Sequence, residues 1–226
     1  MKYHLDFDID LKRNPHPGKY IVLEGVDGSG KTTQVEKLRA HFEHMGKKVI
    51  AVREPRKEGL IGDIVQKALY GKVTLPAVAM QYLFSADRSM HHETVIEPAL
   101  KVGTIVISDR CFWSAVVYGI LDKTGGKYNK GEQDLNAFLI AQSILSMYHQ
   151  FIVPDCTFYL KVTLQTALSR IEKEEKKKEI YEEEGKLAKI IEGYDWLVTK
   201  FPTEFVIVNG ERPVKEVTEE IIGEIT

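Results

Sequence analysis

The chain has 226 residues, of which 43% are hydrophobic and 28% are charged, and its formal net charge is −2. These values are typical of a soluble globular protein and give no broad electrostatic reason for binding nucleic acid or an anionic membrane. With two cysteines, Cys111 and Cys156, in no metal-ligand spacing, and no apolar run of signal-peptide or membrane-span type, we expect a cytoplasmic protein with neither nucleic acid nor membrane as partner.

The chain begins with a segment that lies outside the main pattern of strands and helices. Apolar residues alternate with polar ones from Tyr3 to Leu11, which predicts an edge strand with a solvated acidic face. We therefore treat residues 1–18 as an amino-terminal extension and residues 19–226 as one domain. The charged run at 172–184 fits either a solvated helix, which this segment alone favours, or a mobile cover over a site, for which residues at about 172–186 are the candidate lid.

Five short runs of β-branched and aromatic residues predict strands, and helical spacing fills the stretches between them. In the first of those stretches the apolar residues at helical spacing are Val35, Leu38, Phe42 and Met45. The predicted strands are Tyr20 to Leu23, Lys48 to Val52, Thr104 to Ser108, Thr157 to Leu160 and Glu204 to Val208. Strands alternating with helices predict an α/β fold, a five-stranded parallel sheet with helices on both faces, whose ligands lie at the carboxyl ends of the strands.

The segment GVDGSGKT, from Gly25 to Thr32, fills every fixed position of the phosphate-loop motif between a predicted strand and a predicted helix. Glycines let backbone N–H groups surround a phosphate, and the following helix directs its positive end there. Lys31 adds a charge for the β- and γ-phosphates, and Thr32 supplies a hydroxyl for Mg²⁺. The predicted nucleotide-binding residues are Gly25, Val26, Asp27, Gly28, Ser29, Gly30, Lys31, Thr32 and Thr33.

A phosphate loop alone leaves the acceptor open, and one alternative is a GTPase switch. Such a protein would carry an N-K-x-D motif that reads guanine. The nearest match, Asn129 to Glu132, ends in glutamate and lies in a predicted loop, so this alternative stays remote.

Two further predicted strands run into an arginine, Arg53 and Arg110, at the sheet edge that carries the phosphate loop. Both guanidinium groups are therefore candidates for holding a second anion that faces the first. In the predicted helix after them, Phe84, Arg88 and His91 fall on one face. A flat ring beside a guanidinium is suited to stack on a base and donate to its carbonyl edge.

Taken in order, the motifs resemble those of the bacterial-type thymidylate kinase family over roughly residues 20 to 222. The matching segments are EGVDGSGKTTQ, REP, LFSADRSMH, SDR followed by a serine and a tyrosine, and PDCTFYLKVTLQTALSR. The resemblance implies a P-loop NTPase fold with a short lid, and the conversion of dTMP and ATP to dTDP and ADP with Mg²⁺. It also implies a homodimer.

The resemblance assigns roles to single residues. It implies that Asp27 meets the deoxyribose hydroxyl, that Arg53 and Arg110 hold the acceptor phosphate, that Phe84 stacks on thymine, that Arg88 donates to the O4 carbonyl and that Ser114 lies near the remaining base edge. Tyr118 would lie under the sugar and exclude a ribose 2′-hydroxyl, and Asp109 would order Mg²⁺ or its water.

An acceptor phosphate is already a charged nucleophile, so alignment and charge neutralisation are sufficient for catalysis. A deoxynucleoside kinase would instead need a carboxylate base, and Glu54 is a candidate for that role. This alternative, like a kinase for another pyrimidine nucleotide, therefore stays open.

The family usually brings an arginine to the transferring phosphate from the loop or the lid, and this chain lacks one at both positions. Gly28 and Ser29 stand in the loop, and Ile180 stands in the lid. We hypothesise that Arg56, or a lysine among residues 176–178, supplies the missing charge. The predicted catalytic residues are therefore Lys31, Arg53, Arg110 and Arg56.

Overall fold

Five parallel strands form the centre of the computed structural model, which describes residues 10–128, 132–173 and 179–225, with backbone only for 132–135. The strands are β1 (Tyr20–Glu24), β2 (Val49–Arg53), β3 (Ile105–Asp109), β4 (Cys156–Lys161) and β5 (Val206–Asn209). Their order in the sheet is β2-β3-β1-β4-β5. The predicted five-stranded parallel sheet is confirmed, and the strand boundaries differ from the predicted ones by one or two residues.

Helices connect the strands and cover both faces of the sheet. They are α1 (Lys31–His44), α2 (Leu60–Leu69), α3 (Ala77–His91), α4 (Glu97–Lys101), α5 (Phe112–Thr124), α6 (Glu132–Tyr148), α7 (Leu164–Glu172), α8 (Glu184–Lys200) and α9 (Val214–Ile225). A π-helical turn at His92–Ile96 joins α3 to α4. Among the described residues, none of these helices is long and apolar enough to cross a membrane.

The central strand β1 is buried along its whole length, and its side chains alternate between two cores. Ile21 and Leu23 pack with α1 and α9, whereas Tyr20 and Val22 pack with the larger cluster that includes α3, α5, α6 and α8. Burial on both faces explains why β1 is a continuous apolar run rather than an alternating one.

The helical spacing of apolar residues in this stretch extends one residue beyond α1. Val35, Leu38 and Phe42 are buried, but Met45 is 53% exposed, because α1 ends at His44. Gly46 adopts φ 72° just beyond that end, a left-handed conformation that terminates a helix, and its N–H bonds to the carbonyl of Glu43.

The predicted edge strand at Tyr3 to Leu11 lies almost wholly outside the described residues, which begin at residue 10. Lys12 forms one isolated parallel bridge with Ile152, and Arg13 pairs with Glu204. These contacts attach the last part of the extension to the domain at the edge of the sheet that carries the amino ends of the strands.

The carboxyl ends of β1, β2 and β3 meet at the opposite edge. Leu23 of β1 and Arg53 of β2 both pair in register with Asp109 of β3. The phosphate loop, Arg53 and Arg110 therefore emerge side by side, as the strand pattern predicts for a parallel sheet.

Candidate active site

The phosphate loop turns tightly between β1 and α1. Gly28 has φ 79°, and a Cβ there would lie 2.5 Å from the backbone oxygen of Ala167, so this position accepts only glycine. Gly30, with φ 98°, leads directly into α1, whose first N–H groups point into the loop. The loop therefore has the geometry of an anion cradle at a helix N-terminus.

Lys31 lies inside this loop. Its Nζ donates to the carbonyl oxygens of Gly25 and Val26, both at 3.0 Å, and lies 3.6 Å from Oδ1 of Asp27. Burial lowers the pKa of Lys31 to about 8, and the nearby charge of Arg110 acts in the same direction, with Asp27 opposing them. The ammonium group is thus only partly compensated in the free protein, which favours an incoming phosphate.

Thr32 and Asp109 form the predicted metal pair. The hydroxyl of Thr32 donates to Oδ2 of Asp109 at 2.7 Å. Oδ1 of the same carboxylate is buried and has no hydrogen-bond partner in the part of the chain that the structure describes. Hydroxyl, carboxylate and phosphate oxygens are the ligands that Mg²⁺ prefers. The donor set therefore fits Mg²⁺ beside the phosphate loop.

A first pocket lies beside the loop, at the ends of β2 and β3. It is lined by Asp27, Arg53, Pro55, Gln66, Leu69, Phe84, Arg88, Arg110, Ser114, Ala115, Tyr118, Glu179 and Tyr181. All seven residues predicted to contact the acceptor are in this list. Sequence reasoning missed the contributions of α2, Gln66 and Leu69, and that of Glu179.

Arg110 is the most constrained of these side chains. Its Nη2 donates to Asp27 at 2.6 Å, and its Nη1 donates to Ser114 Oγ at 3.2 Å and to the Tyr194 hydroxyl at 3.1 Å. Burial acts to lower the pKa of Arg110, but the surrounding Tyr118 and Asp27 raise it well above its usual value. Its backbone adopts φ 76°, a strained conformation for a non-glycine residue that is commonly found at functional sites.

Arg53, the second predicted anion-binding arginine, also lines the first pocket. Its Nε is buried and has no hydrogen-bond partner among the described residues. A buried N–H group without a partner costs free energy, and a bound anion would remove that cost.

Arg88 is buried and held between two polar groups. Its Nε donates to Oε2 of Glu54 at 2.7 Å and its Nη1 to the hydroxyl of Tyr148 at 3.1 Å, with the guanidinium carbon 5.9 Å from the ring centroid of Phe84. The predicted pairing of an aromatic ring with a guanidinium on one helix face is therefore present in the pocket wall.

Glu54 does not line this pocket. Arg88 bonds to its Oε2, and its second oxygen, Oε1, lies 3.1 Å from Nδ1 of His91. Glu54 is fully buried. Burial acts to raise the pKa of Glu54, but the hydrogen bond from His91 and the charge of Arg88 hold it at about 2. A carboxylate this weakly basic, bonded on both oxygens, is poorly suited to the general-base role that a nucleoside kinase would need.

Arg56 lies in a neighbouring cleft with Thr32, Arg53 and Asp109. Its backbone N–H and its Nε both donate to the buried carboxylate of Asp87, each at 2.9 Å, while Nη2 is buried and has no partner within residues 10–128, 132–173 and 179–225. The predicted lysines at 176–178 lie outside the described residues. The structure thus places Arg56 near the metal pair, anchored through one side of its guanidinium group.

Two described residues of the predicted lid, Glu179 and Tyr181, line the first pocket. The Ile180 N–H donates to the Leu69 carbonyl at 2.9 Å, and the Tyr181 hydroxyl donates to Asp122 at 2.8 Å. The Tyr181 ring meets that of Tyr118 edge to face at 4.8 Å. Two tyrosine rings therefore form one wall of the pocket.

A second pocket lies on the other side of the loop, between α1, α7 and the segment after β5. It is lined by Ser29, Gly30, Thr33, Gln34, Arg170, Gly210, Arg212, Val214 and Val217. Arg170 donates to the carbonyl oxygens of Gly28, Ser29 and Gly210 at 3.0 to 3.3 Å. Sequence reasoning missed Arg170 because nothing in its local pattern distinguishes it from an exposed helical arginine.

Comparisons with known proteins agree with this geometry. The family model described as thymidylate kinase matches residues 23–221. The chain is similar to the thymidylate kinase of Mesoplasma florum, with 32% identity over 206 residues, covering 89% of this chain and 92% of that protein. It is also similar to a probable thymidylate kinase of Methanosarcina barkeri, with 32% identity over 216 residues, covering 92% of this chain and 96% of that protein.

Among solved structures, the chain resembles the thymidylate kinase of Candida albicans, an enzyme described as having broad substrate specificity. The TM-score is 0.76 at 26% sequence identity, and the match covers 92% of this chain and 91% of the other. The family model, the sequence relatives and the solved structure therefore indicate the same family, and the solved structure also has the same fold.

Proposed function

The chain belongs to the thymidylate kinase family, a family of phosphotransferases that phosphorylate dTMP, and on that premise we propose how its residues bind the two substrates. ATP lies with its phosphates in the phosphate loop, and dTMP lies in the first pocket. The observation that carries this proposal is the position of Asp27, whose Oδ1 lies 3.6 Å from Lys31 Nζ and 2.6 Å from Arg110 Nη2. The carboxylate of Asp27 thus lies between Lys31, the cation of the ATP site, and Arg110, a cation of the dTMP site.

Two of the three arginines that line the first pocket, Arg53 and Arg110, hold the acceptor phosphate. Arg110 is fixed by its three hydrogen bonds, and Arg53 approaches from the neighbouring strand, so the acceptor phosphate faces the loop. The phosphate oxygen attacks without a general base, because it is ionised at neutral pH. Lys31 neutralises charge that develops on the transferring group. Arg56, which shares a cleft with Thr32 and Asp109 and whose Nη2 has no hydrogen-bond partner among the described residues, adds a second positive charge there.

Thr32 and Asp109 would hold Mg²⁺, with Asp109 acting directly or through a water molecule. When bound, the ion offsets the charge of the β- and γ-phosphates. The buried and unpartnered Oδ1 of Asp109 supports this role.

The base and sugar of dTMP occupy the inner part of the first pocket. Phe84 stacks on the thymine ring, and the part of the Arg88 guanidinium not bonded to Glu54 or Tyr148 donates to its O4 carbonyl. Asp27 and Ser114 complete the polar contacts at the sugar and at the remaining base edge. The ring of Tyr118, braced by Tyr181, lies against the sugar and disfavours a ribose 2′-hydroxyl.

The base of ATP occupies the second pocket, against Arg170. A guanidinium fixed to three backbone carbonyls presents a flat cationic surface on which an adenine ring stacks. Residues at about 172–186, which follow α7, form the lid over both substrates.

We further propose a cytoplasmic homodimer. The exposed faces of α2 and α3 carry large apolar side chains, of which Leu60 is 79% and Tyr82 is 64% exposed, with Ile64 and Val78 also exposed. A second copy of the chain would cover this surface. Size-exclusion chromatography with light scattering tests this: a dimer that Leu60→Asp converts to a monomer supports the proposal, and a wild-type monomer at micromolar concentration contradicts it.

Release of ADP from Mg-ATP, measured across a panel of acceptors, tests the catalytic proposal. We expect turnover with dTMP, weaker turnover with dUMP, and little with UMP or thymidine. Preferred turnover of thymidine would instead show a nucleoside kinase, and hydrolysis of GTP without an acceptor would show a switch protein. Lys31→Ala is the control, because it removes the loop charge and should abolish every one of these activities.

A further inference from the structure

The buried carboxylate of Glu24 has no part in the mechanism described above. Glu24 is the last residue of β1, directly before the phosphate loop, and is 0% exposed. Its Oε1 accepts from two backbone N–H groups at the start of α5, those of Cys111 at 2.9 Å and Ser114 at 3.2 Å. Its Oε2 accepts from the hydroxyls of Ser114 and Tyr194, at 2.6 and 2.7 Å.

These contacts fix the direction of both hydroxyl groups. The two hydroxyl oxygens also lie 2.9 Å apart, a contact in which either could donate. Because a hydroxyl carries one hydrogen and the carboxylate is the stronger acceptor, we assign both hydrogens to Glu24. The lone pairs of both oxygens are therefore free to face Arg110, whose Nη1 donates to each of them. The negative charge of Glu24 thus determines that the two hydroxyls present acceptors, rather than hydrogens, to the guanidinium.

This arrangement leaves part of Arg110 available to a ligand. Of the five N–H groups of a guanidinium, three are used by Asp27, Ser114 and Tyr194. The other two, on Nε and Nη2, make no hydrogen bond with the described residues, and Arg110 lines the first pocket. Since the fork geometry of arginine determines where a phosphate can bind, the partners on Nη1 set the position of the acceptor phosphate.

We propose that Glu24 and Tyr194 are positioning residues for the acceptor phosphate, acting through the guanidinium group of Arg110. This inference rests on the proposed function, in which Arg110 binds that phosphate. Tyr194 comes from α8, the helix that follows the lid, so the orientation of Arg110 depends on the phosphate-loop strand and on the lid side of the domain together.

Tyr159 offers a matched control for Tyr194. The two rings are stacked at a centroid distance of 5.2 Å, and both residues are almost fully buried. The Tyr159 hydroxyl, however, donates to Asp195 at 3.2 Å and takes no part in the network around Glu24. Tyr159→Phe and Tyr194→Phe therefore each remove a hydroxyl oxygen from neighbouring rings. Only Tyr194→Phe removes a hydrogen bond of Arg110.

The test measures kcat, KM for dTMP, KM for ATP and the melting temperature of both variants. For Tyr194→Phe we expect KM for dTMP to rise about tenfold, since a hydrogen bond to a charged group is lost. We expect its KM for ATP to stay within twofold of the wild-type value, and Tyr159→Phe to leave both KM values unchanged. Equal KM values for dTMP in the two variants would overturn the proposal, as would a rise of both KM values of Tyr194→Phe in parallel with a lowered melting temperature.

Glu24→Gln provides a second measurement. An amide would direct N–H groups at the two hydroxyls and reverse their hydrogens, so its KM for dTMP should rise at least as much as that of Tyr194→Phe. If the two residues act as one unit, the double variant should be no worse than Glu24→Gln, whereas fully additive effects would contradict the proposal. A wild-type enzyme without dTMP turnover would refute the proposed function itself, which is a different outcome from an active enzyme insensitive to Tyr194→Phe.

Discussion

Replacing Glu54 by glutamine should destabilise the protein in a strongly pH-dependent way. Glu54 is fully buried between Arg88 and His91, and its pKa is lowered from 4.5 to about 2. That difference corresponds to roughly 3 kcal/mol of unfolding free energy at neutral pH. Glutamine has nearly the same shape but leaves the buried charge of Arg88 without its counter-ion, a change that typically costs about 3–5 kcal/mol.

The sign of the pH dependence follows from the lowered pKa. A carboxylate with a lower pKa in the folded state stabilises the protein above its unfolded pKa, and this stability is lost as the pH falls from 4.5 toward 2. Urea unfolding at pH 7 and at pH 3 measures this contribution to the free energy of unfolding. The difference between wild type and Glu54→Gln should be roughly 3 kcal/mol at pH 7 and about half of that at pH 3.

Glu36→Gln is the control, because Glu36 is about half exposed and pairs with Arg39 on the surface of α1. It should cost less than about 1 kcal/mol at either pH. A Glu54→Gln variant that loses no more stability than this control, or that loses the same amount at pH 7 and pH 3, would refute the reasoning. In folded Glu54→Gln protein, KM for dTMP should also rise, because Arg88 is no longer fixed in the first pocket.

Three further predictions concern the donor side and the transferring group. Since the pKa of Lys31 is lowered to about 8, kcat/KM for ATP should fall as the pH rises through 8 and the ammonium deprotonates; a flat profile to pH 9.5 would contradict this. Arg170→Ala should raise KM for ATP about tenfold, by loss of a cation–π contact and of loop support, with KM for dTMP unchanged; steady-state kinetics with each substrate varied decides the point. Arg56→Ala should lower kcat at least tenfold while the adjacent Lys57→Ala leaves it unchanged, and wild-type turnover in Arg56→Ala would remove Arg56 from the mechanism.

The phosphate loop and the strand ends could be predicted from the sequence because their geometry is local. The fixed positions of GVDGSGKT require one backbone path, and a parallel sheet places the residues after β2 and β3 at the same edge. The face shared by Phe84 and Arg88 follows from helical spacing alone. These features need no knowledge of which helix packs on which.

The remaining parts of the site depend on contacts between residues far apart in the chain. Glu54 pairs with Arg88 across 34 residues, and Tyr194 reaches Arg110 across 84, so neither partner is visible in a local pattern. Gln66 and Arg170 enter the pockets only because α2 packs against α3 and α7 lies against the phosphate loop. Met45 shows the opposite case, since the regular spacing continues one residue beyond His44, where the helix ends.

The contact between α7 and the phosphate loop has a consequence for turnover. Arg170 bonds to two loop carbonyls, and the Ala167 backbone lies against Gly28 so closely that a single methyl group would not fit. The chain runs from α7 directly into the lid segment. An opening motion that shifts α7 would break these hydrogen bonds and weaken the binding of the nucleotide. We therefore expect the dissociation rate of ADP to be coupled to the motion that admits the next substrate.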